Sequence, residues 1–308
     1  MSNIRSTYKS LDTEEWLDIH FTRPLGYMWA LLFKALHIHP NVVTIISIFL
    51  GILAGLMFMY SDLCHNLLGV LFLVWANIYD SCDGQLARMT GKKTKWGRIL
   101  DGFAGDVWFF FIYLAIVIRT FHDTIPGTSV EWQWIIFFIC LISGVVFHAR
   151  QCQLADYYRN IHLYFLPGTT NELHSSAIEQ KRLDETPHEG NFWWRIFLRS
   201  YVSYTRTQER LTPRFQELTG YIHNPYNGIV PADFRSEFRR QSLPLMKYAN
   251  IITFNCRAII LYIAFLTDEP WLYPVMEMTV LAAIAAYLRK RHETMCTVLL
   301  EKLKNTNY

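Results

Sequence analysis

Five residues near the end of an apolar stretch have the types and spacing expected of a helix face that binds metal and phosphate. They are Asp80, Asp83, Gly84, Ala87 and Arg88. Their offsets of three, four, seven and eight residues place them on one face of an α-helix. Carboxylates are ligands for hard divalent cations, and arginine binds phosphate through two parallel hydrogen bonds. The two small residues would let a flat group approach the backbone closely.

A further acid follows on the next predicted helix, where Gly97 and Asp101 are one turn apart. Asp101 can therefore face Asp80 and Asp83. Three carboxylates without a counter-charge would be costly at a membrane boundary, where ionisable groups mark a functional site by default. Divalent metal removes the repulsion, and two ions about 3.5–4 Å apart commonly bridge a diphosphate in phosphoryl chemistry. The alternative is that the acids simply face water, with Asp101 interacting with the helix dipole.

The elements that must position these residues are membrane helices. The chain has 308 residues, of which 52% are hydrophobic and 18% charged, whereas about a quarter are charged in an average soluble domain. Six apolar runs are long enough, or nearly so, for the roughly 20 helical residues that cross a bilayer core. Because a backbone in lipid must satisfy its own hydrogen bonds, these runs predict helices. They are Val42–Tyr60, Leu67–Asp83, Phe103–Arg119, Trp134–Ala149, Ile251–Leu266 and Trp271–Leu288.

The segment before these runs, Glu14–Leu36, mixes aromatic and aliphatic residues with charges. This pattern predicts an amphipathic helix in the membrane interface, broken near Pro24, although an ordinary packed helix has a similar pattern. The predicted fold is therefore an all-α integral membrane protein, with a bundle of six transmembrane helices and an N-terminal interfacial amphipathic helix. The opening "MSNIRSTYKSLDTEEW" is too polar for a cleavable signal peptide.

The distribution of basic residues predicts the organisation and the orientation of the chain. We expect an N-terminal interfacial segment, transmembrane helices 1–4, a polar insert, transmembrane helices 5 and 6, and a tail, at residues 1–40, 41–156, 157–247, 248–290 and 291–308. Lysine and arginine are concentrated in Lys92–Lys95, the insert and the tail, whereas the opposite loops have only Arg119 nearby. The positive-inside rule therefore places both termini and the acids on the cytoplasmic side of a bacterial inner membrane or an ER-like membrane.

The insert contains turn signals at "LPGTTNE", "DETPHEG" and "HNPYNG". Between the last two, "NFWWRIFLRSYVSYTRTQERL" predicts a helix, whose aromatic and basic residues suit either the membrane surface or packing within the insert. The six cysteines show no paired spacing. We interpret them as small buried residues and expect neither a disulfide nor a zinc site.

The stretch "DSCDGQLARMTGKKTKWGRILD" resembles the signature of the CDP-alcohol phosphotransferase family, DxxDGxxARx8GxxxDxxxD. "HPNVVTIISIFLG" also resembles the first membrane helix of that family, where Asn41 and Thr44 would stand near the nucleotide. Thr94 fits a commonly polar position in the linking turn. The resemblance covers the membrane helices but not the insert. The matched signature positions are Asp80, Asp83, Gly84, Ala87, Arg88, Gly97 and Asp101.

The resemblance implies an enzyme that transfers a substituted phosphate group from a CDP-linked lipid or head-group donor to an alcohol acceptor, with release of CMP. It implies Mg²⁺ or Mn²⁺, with two ions, and a homodimer among membrane lipids; no nucleic-acid partner is expected. The metal ligands would be Asp80, Asp83 and Asp101, and Asp101 would also take part in catalysis. The residues around the cytidine diphosphate would be Asn41, Thr44, Gly84, Ala87, Arg88, Thr94 and Gly97.

The chain departs from the family pattern at the last aspartate, which is the usual proton acceptor. Position 105 is glycine, and Asp106 follows one residue later, about 100° further round a regular helix. A π-bulge eased by Gly102 and Gly105 could bring Asp106 into register as the base and as a further metal ligand. Alternatively, the base is His148 or Asp156, or the chain binds CDP compounds without efficient catalysis.

Basic residues near the ends of the fourth and fifth spans predict an acceptor pocket. His148, Arg150 and Arg159 follow one another along the end of the fourth span, and Arg257 is inside the fifth. An intramembrane arginine is a functional candidate, and a phosphate-bearing acceptor would suit this set. The other interpretation is that these cations reach lipid phosphates or pair with carboxylates.

The direction of transfer is open, because both branches of the family share the signature. In one, CDP-diacylglycerol donates to inositol, inositol phosphate or glycerol phosphate, which the short chain and the six spans favour. In the other, a CDP-activated head group of the ethanolamine or inositol type passes to a lipid alcohol such as diacylglycerol or ceramide. A cation-coupled transporter would also contain inward-facing acids, but no inverted repeat is visible.

Overall fold

The computed structural model describes residues 10–92, 94–166, 173, 175–223 and 230–305. Within these residues the secondary structure is helical, without a strand. Six helices are long and apolar enough to cross a membrane, so the chain is an integral membrane protein. They are Pro40–Met57, Leu63–Thr90, Lys95–Thr120, Gln133–Tyr164, Ala232–Leu266 and Leu272–Asn305. Each overlaps one predicted span, which confirms the predicted fold class.

Some predicted features lie outside the described residues. These are the start of the N-terminal segment (1–9), Lys93, most of the turns "LPGTTNE" and "HNPYNG", and the end of the tail (306–308).

The helices are named here in chain order. They are α1 (Arg23–Ala35), α2 (Pro40–Met57), α3 (Leu63–Thr90), α4 (Lys95–Thr120), α5 (Gln133–Ile142), α6 (Ala149–Tyr164), α7 (Ser176–Glu185), α8 (Phe192–Leu211), α9 (Pro213–His223), α10 (Ala232–Ile251), α11 (Phe254–Leu266), α12 (Leu272–Met276) and α13 (Ala282–Asn305). Separate π-helical turns are Asp18–Thr22, Ser143–His148 and Glu277–Leu281. The described chain forms two compact units. Unit 1 contains residues 14–149 and 255–279, and unit 2 contains residues 10–13, 150–254 and 280–305.

In unit 1, α2 packs closely against α4, the helix that carries Asp101. A Cβ atom added to Gly51 would lie 1.9 Å from Cδ1 of Trp108, and one added to Gly55 would lie 2.6 Å from Cβ of Phe111. Small residues at helix contacts let backbones approach, which is how helices gain packing energy in lipid. The glycines of α2 are therefore required by the neighbouring aromatic residues of α4.

The N-terminal helix has the predicted amphipathic character and packs on α3. Ala30 and Phe33 are buried with Leu86 of α3, whereas Met28 is 65% exposed. The predicted break near Pro24 is wrong, because the backbone stays helical and changes from a π turn to α-helix at this point. Pro24, which has no N–H to donate, lies where the π pairing changes to α pairing.

Unit 2 has an aromatic core of its own. Phe165 stacks on Phe238 with ring centroids 3.8 Å apart, and Tyr158 stacks on His292 at 4.1 Å. The helix predicted in the insert is α8, whose first residue Phe192 is 65% exposed while later residues of the helix are buried. The described residues of the predicted insert are therefore largely helical. The cysteines carry free thiols.

The stability of unit 2 at low pH is expected to depend on the ion pair between Asp12 and Arg239. Asp12 accepts hydrogen bonds from Nε and Nη2 of Arg239 at 2.7 and 3.0 Å, and His162 Nε2 lies 3.2 Å from the same carboxylate. The hydrogen bond from Arg239 lowers the pKa of Asp12 below its usual 3.8, against the opposing effect of burial.

Because the folded-state pKa is lowered, this stabilisation is present above the unfolded pKa and is lost as pH falls through the folded pKa. At neutral pH, Asp12→Asn should therefore unfold at a lower temperature than the wild type. The difference between the two unfolding temperatures should shrink below pH 3.8. A difference that stayed constant down to that range would contradict the assignment.

Candidate active site

Helix α3 presents the first two acids and the arginine close to its C-terminal end. Asp83 is buried, Asp80 is half-buried and Arg88 is exposed. The guanidinium of Arg88 lies over Gly84, because a Cβ atom built on Gly84 would be 3.5 Å from Nη1. The helix ends at Thr90 and is capped by Gly91, whose φ of 68° is the left-handed conformation that favours glycine after a helix C-terminus.

The turn after α3 brings together three residues predicted to lie near the nucleotide. Thr94 is the N-cap of α4, and its Oγ1 accepts a hydrogen bond from the backbone N–H of Gly97 at 2.9 Å. The same hydroxyl donates to Oδ1 of Asn41, at the start of α2, over 3.2 Å. The cap that begins α4 is thereby tied to α2.

The three acids converge, as their spacing predicts. Asp80, Asp83 and Asp101 each offer a carboxylate oxygen, and these oxygens lie within 4.8 Å of one another. Thr44 of α2 donates a hydrogen bond to Oδ2 of Asp83, which fixes the buried member of the set. Three closely spaced carboxylates favour a divalent cation as their common partner, and their hard oxygen donors fit Mg²⁺ or Mn²⁺.

An ion pair from the N-terminal segment extends this charged region. Glu14 accepts hydrogen bonds from Nε and Nη2 of Arg23 at 3.2 and 3.0 Å. Both residues lie within electrostatic range of Arg88, and Arg23 also of Asp80. The helix α1 therefore contributes charge to the site as well as packing.

Gly97 is expected to be required for ligand binding, since a Cβ atom there would lie 2.8 Å from Oδ1 of Asn41 and 3.1 Å from Oγ1 of Thr94. Gly97→Ala should displace both polar side chains and weaken binding of CDP by about tenfold, the equivalent of roughly one hydrogen bond. Calorimetric titration of the purified protein with CDP measures the change. Gly220→Ala on α9, where an added Cβ meets nothing within 4 Å, is the control, and equal CDP affinity in the two variants would refute the expectation.

The sequence model of the CDP-alcohol phosphatidyltransferase family matches residues 37–162, which contain the whole acid cluster. Over residues 37–162 the chain is similar to the CDP-alcohol phosphatidyltransferase family. The match covers less than half of the chain, and no curated protein and no solved structure matches it. The family consists of transferases of phosphoryl groups, so the chain is an enzyme of this class.

Asp106 lies outside this acid cluster. The carboxylates that meet within 4.8 Å are those of Asp80, Asp83 and Asp101. Helix α4 is regular from Lys95 to Thr120, and the π-bulge that would bring Asp106 into register is absent from it. At Gly105, a Cβ atom would meet no described atom within 4 Å. The position that carries the last family aspartate is therefore open space.

Two of the predicted acceptor residues of the transferase, Arg257 and His148, meet in a buried polar network centred on Glu277. Arg257 and Glu277 form an ion pair in which both side chains are 0% exposed. Nδ1 of His148 lies 2.9 Å from Oε1 of Glu277. Tyr113, Ser143 and Tyr273 also direct hydroxyl groups at this carboxylate.

The remaining candidates for acceptor or base belong to unit 2. Arg150 is exposed. Arg159 donates to Oδ1 of Asn250 over 2.8 Å, and Asp156 accepts from the hydroxyl of Tyr204 over 3.2 Å.

Sequence reasoning missed Glu277 and Arg23. An acid inside the predicted span Trp271–Leu288 was a visible signal for Glu277, because ionisable residues in lipid mark functional sites. Arg23 had no comparable signal, since one basic residue in an amphipathic segment is common.

Proposed function

We propose that the chain catalyses metal-dependent transfer of a substituted phosphoryl group from a CDP-linked donor to an alcohol, with release of CMP. The observation that supports this most strongly is the convergence of three carboxylates within 4.8 Å beside Arg88. The donor is CDP-diacylglycerol, and the acceptor is a polar alcohol or its phosphate, of the inositol, inositol phosphate or glycerol phosphate type.

Each group at the site has a part in this proposal. Asp80, Asp83 and Asp101 would hold two Mg²⁺ or Mn²⁺ ions, which when bound supply positive charge to the diphosphate. Arg88, which lies over Gly84, binds a phosphate oxygen through its planar guanidinium. The side of the site near Thr94 accepts the cytidine. Catalysis then depends mainly on positioning the donor and the acceptor, and on stabilising the charge that develops in the transition state.

The charge of Arg257 is paired with Glu277, so this arginine offers a phosphate-bearing acceptor less charge than its place in the fifth span suggested. An uncharged polar alcohol is therefore as suitable as its phosphate. Transfer in the other direction, from a CDP-activated head group to diacylglycerol or ceramide, would use the same acids. An assay with both kinds of donor distinguishes the two directions.

We also propose that the site faces the cytoplasm, in a bacterial inner membrane or an ER-like membrane, and that two copies associate. The concentration of lysine and arginine in the insert and tail supports the orientation. The dimer follows from the resemblance to the family.

Incubation of the purified protein with CDP-diacylglycerol and Mg²⁺ against a panel of polar alcohols and their phosphates tests the proposal. CMP and a new phospholipid should appear together with one acceptor. A parallel panel of CDP-linked head groups with diacylglycerol or ceramide distinguishes the opposite direction. Absence of CMP release in both panels would refute the proposed activity, and cation flux without CMP release would identify a transporter instead.

A further inference from the structure

Helix α8 of unit 2 carries large apolar side chains on the side that unit 2 leaves uncovered. Phe192 and Trp193, at the start of the helix, are 65% and 62% exposed, and Ile196, one turn later, is 40% exposed. The uncovered side of a helix is normally polar. A group of exposed apolar side chains of this kind is typical of a surface that binds a partner or a membrane.

Exposed arginines continue along the same side of α8. Positions 192, 196, 199, 203, 206 and 210 are separated by three or four residues, so they form one stripe on an α-helix. Arg206 and Arg210 are one turn apart, a spacing at which like charges disfavour the helix, and a negatively charged partner would remove this repulsion. The outer face of α8 therefore consists of these exposed residues: Phe192, Trp193, Ile196, Arg199, Ser203, Arg206 and Arg210.

The opposite side of α8 is covered within unit 2. Leu198 is 1% exposed, and hydrogen bonds join both ends of the helix to α7. The backbone N–H of Ser176 donates to Oε1 of Glu209 at 2.7 Å, and Nη1 of Arg195 donates to the carbonyl oxygen of Leu183 at 2.9 Å. The arginine side chain at position 195 is thus used inside the unit, and α8 is held with its outer face uncovered.

A bilayer surface that contains anionic lipid fits both parts of the outer face. Aromatic side chains favour the interface between lipid and water, and exposed arginine is attracted to anionic head groups close to that interface. A bilayer is also within reach of unit 2, because the apolar spans Gln133–Tyr164 and Ala232–Leu266 extend into this unit. The order of the residues, apolar first and basic afterwards, is typical of interfacial helices whose long cationic side chains reach the phosphates.

We propose that the outer face of α8 docks on the surface of an anionic lipid bilayer. Its apolar end enters the interface, and its arginines contact lipid phosphates. Docking would hold unit 2 against the bilayer by a second attachment besides the apolar spans. The inference goes beyond the transfer reaction and does not depend on it.

Spin labelling of the full-length protein tests the docking. Trp193 is replaced by p-acetylphenylalanine, which is coupled to a nitroxide, and the protein is reconstituted in mixed vesicles of phosphatidylcholine and phosphatidylglycerol. Oxygen, which concentrates in lipid, should relax this nitroxide more strongly than a water-soluble nickel chelate. The same label at Lys181 of α7, whose side chain is 77% exposed, is the control and should respond more strongly to the nickel chelate. A label at Ile196 gives an independent measurement on the outer face.

The contribution of the arginines is tested in the same vesicles. Arg206→Gln should lower the ratio of docked to undocked protein about fivefold, the effect of one cation near an anionic surface, and high salt should weaken docking of the wild type. Lys181→Gln is the matched control and should keep the wild-type ratio. In vesicles of phosphatidylcholine alone, Arg206→Gln and the wild type should give equal ratios. Equal ratios in the anionic vesicles would overturn the role of the arginines.

The other outcomes identify what covers the outer face instead. Stronger relaxation by the nickel chelate at both Trp193 and Ile196 would show that this face lies in water, which overturns the proposal. Protection of both labels from oxygen and from the chelate would show that protein covers the face and would also overturn it, with spin–spin broadening identifying a second copy of the chain. Because the measurement is accessibility and not turnover, these results leave the proposed transfer activity standing.

Discussion

Asp83→Asn is expected to lower the rate of CMP release by about 10²–10³-fold, the usual cost of removing one preorganised electrostatic contact from an active site. Asp83 is the buried member of the acid cluster, and Thr44 holds its carboxylate. Asparagine keeps the shape and can still accept from Thr44, but it removes the negative charge. Folding should therefore change little while the affinity for divalent cations falls.

Two measurements distinguish a specific loss of metal binding from a general loss of folding. Binding of Mn²⁺, followed by electron paramagnetic resonance, should weaken in Asp83→Asn in the absence of any substrate. Asp123→Asn, at an exposed aspartate outside the helices, should leave both Mn²⁺ binding and CMP release unchanged. Wild-type Mn²⁺ affinity in Asp83→Asn would mean that the three carboxylates do not share an ion.

The acid cluster was predictable because regular helix geometry converts residue spacing into direction. Asp80 and Asp83 are three residues apart on α3, and Asp101 follows on α4 after a short turn. A short connection leaves two helices few ways to pack, so the acids could be expected to meet. The six spans were predictable for a similar reason, since each is continuous in the sequence and needs no partner to be visible.

Features that depend on contacts distant in sequence were not predictable in this way. Arg257 was recognised as an intramembrane cation, but its partner Glu277 lies on another helix, and only tertiary packing brings the two together. The π-bulge expected near Asp106 is absent from α4, while π turns occur at other places such as Ser143–His148. Spacing alone cannot predict where a helix departs from regular geometry, because the cause is the surrounding packing.

The ion pair of Arg257 and Glu277 is expected to matter most for stability when only one partner is removed. Both side chains are fully buried, so Arg257→Gln leaves a carboxylate in the interior without its cation. Breaking a buried pair in this way costs about 3–5 kcal/mol. The variant should unfold at a clearly lower temperature in detergent than the wild type.

Arg257→Gln/Glu277→Gln should recover most of the stability that Arg257→Gln loses, because the second change removes the uncompensated charge. The amide at position 277 can still accept hydrogen bonds from Tyr113 and Ser143, which donate to the carboxylate in the wild type. Unfolding temperatures of the wild type and of the single and double variants, measured under one condition, decide the matter. If the double variant were no more stable than Arg257→Gln, the loss would come from the packing and hydrogen bonds of the guanidinium rather than from a carboxylate left without its counter-charge.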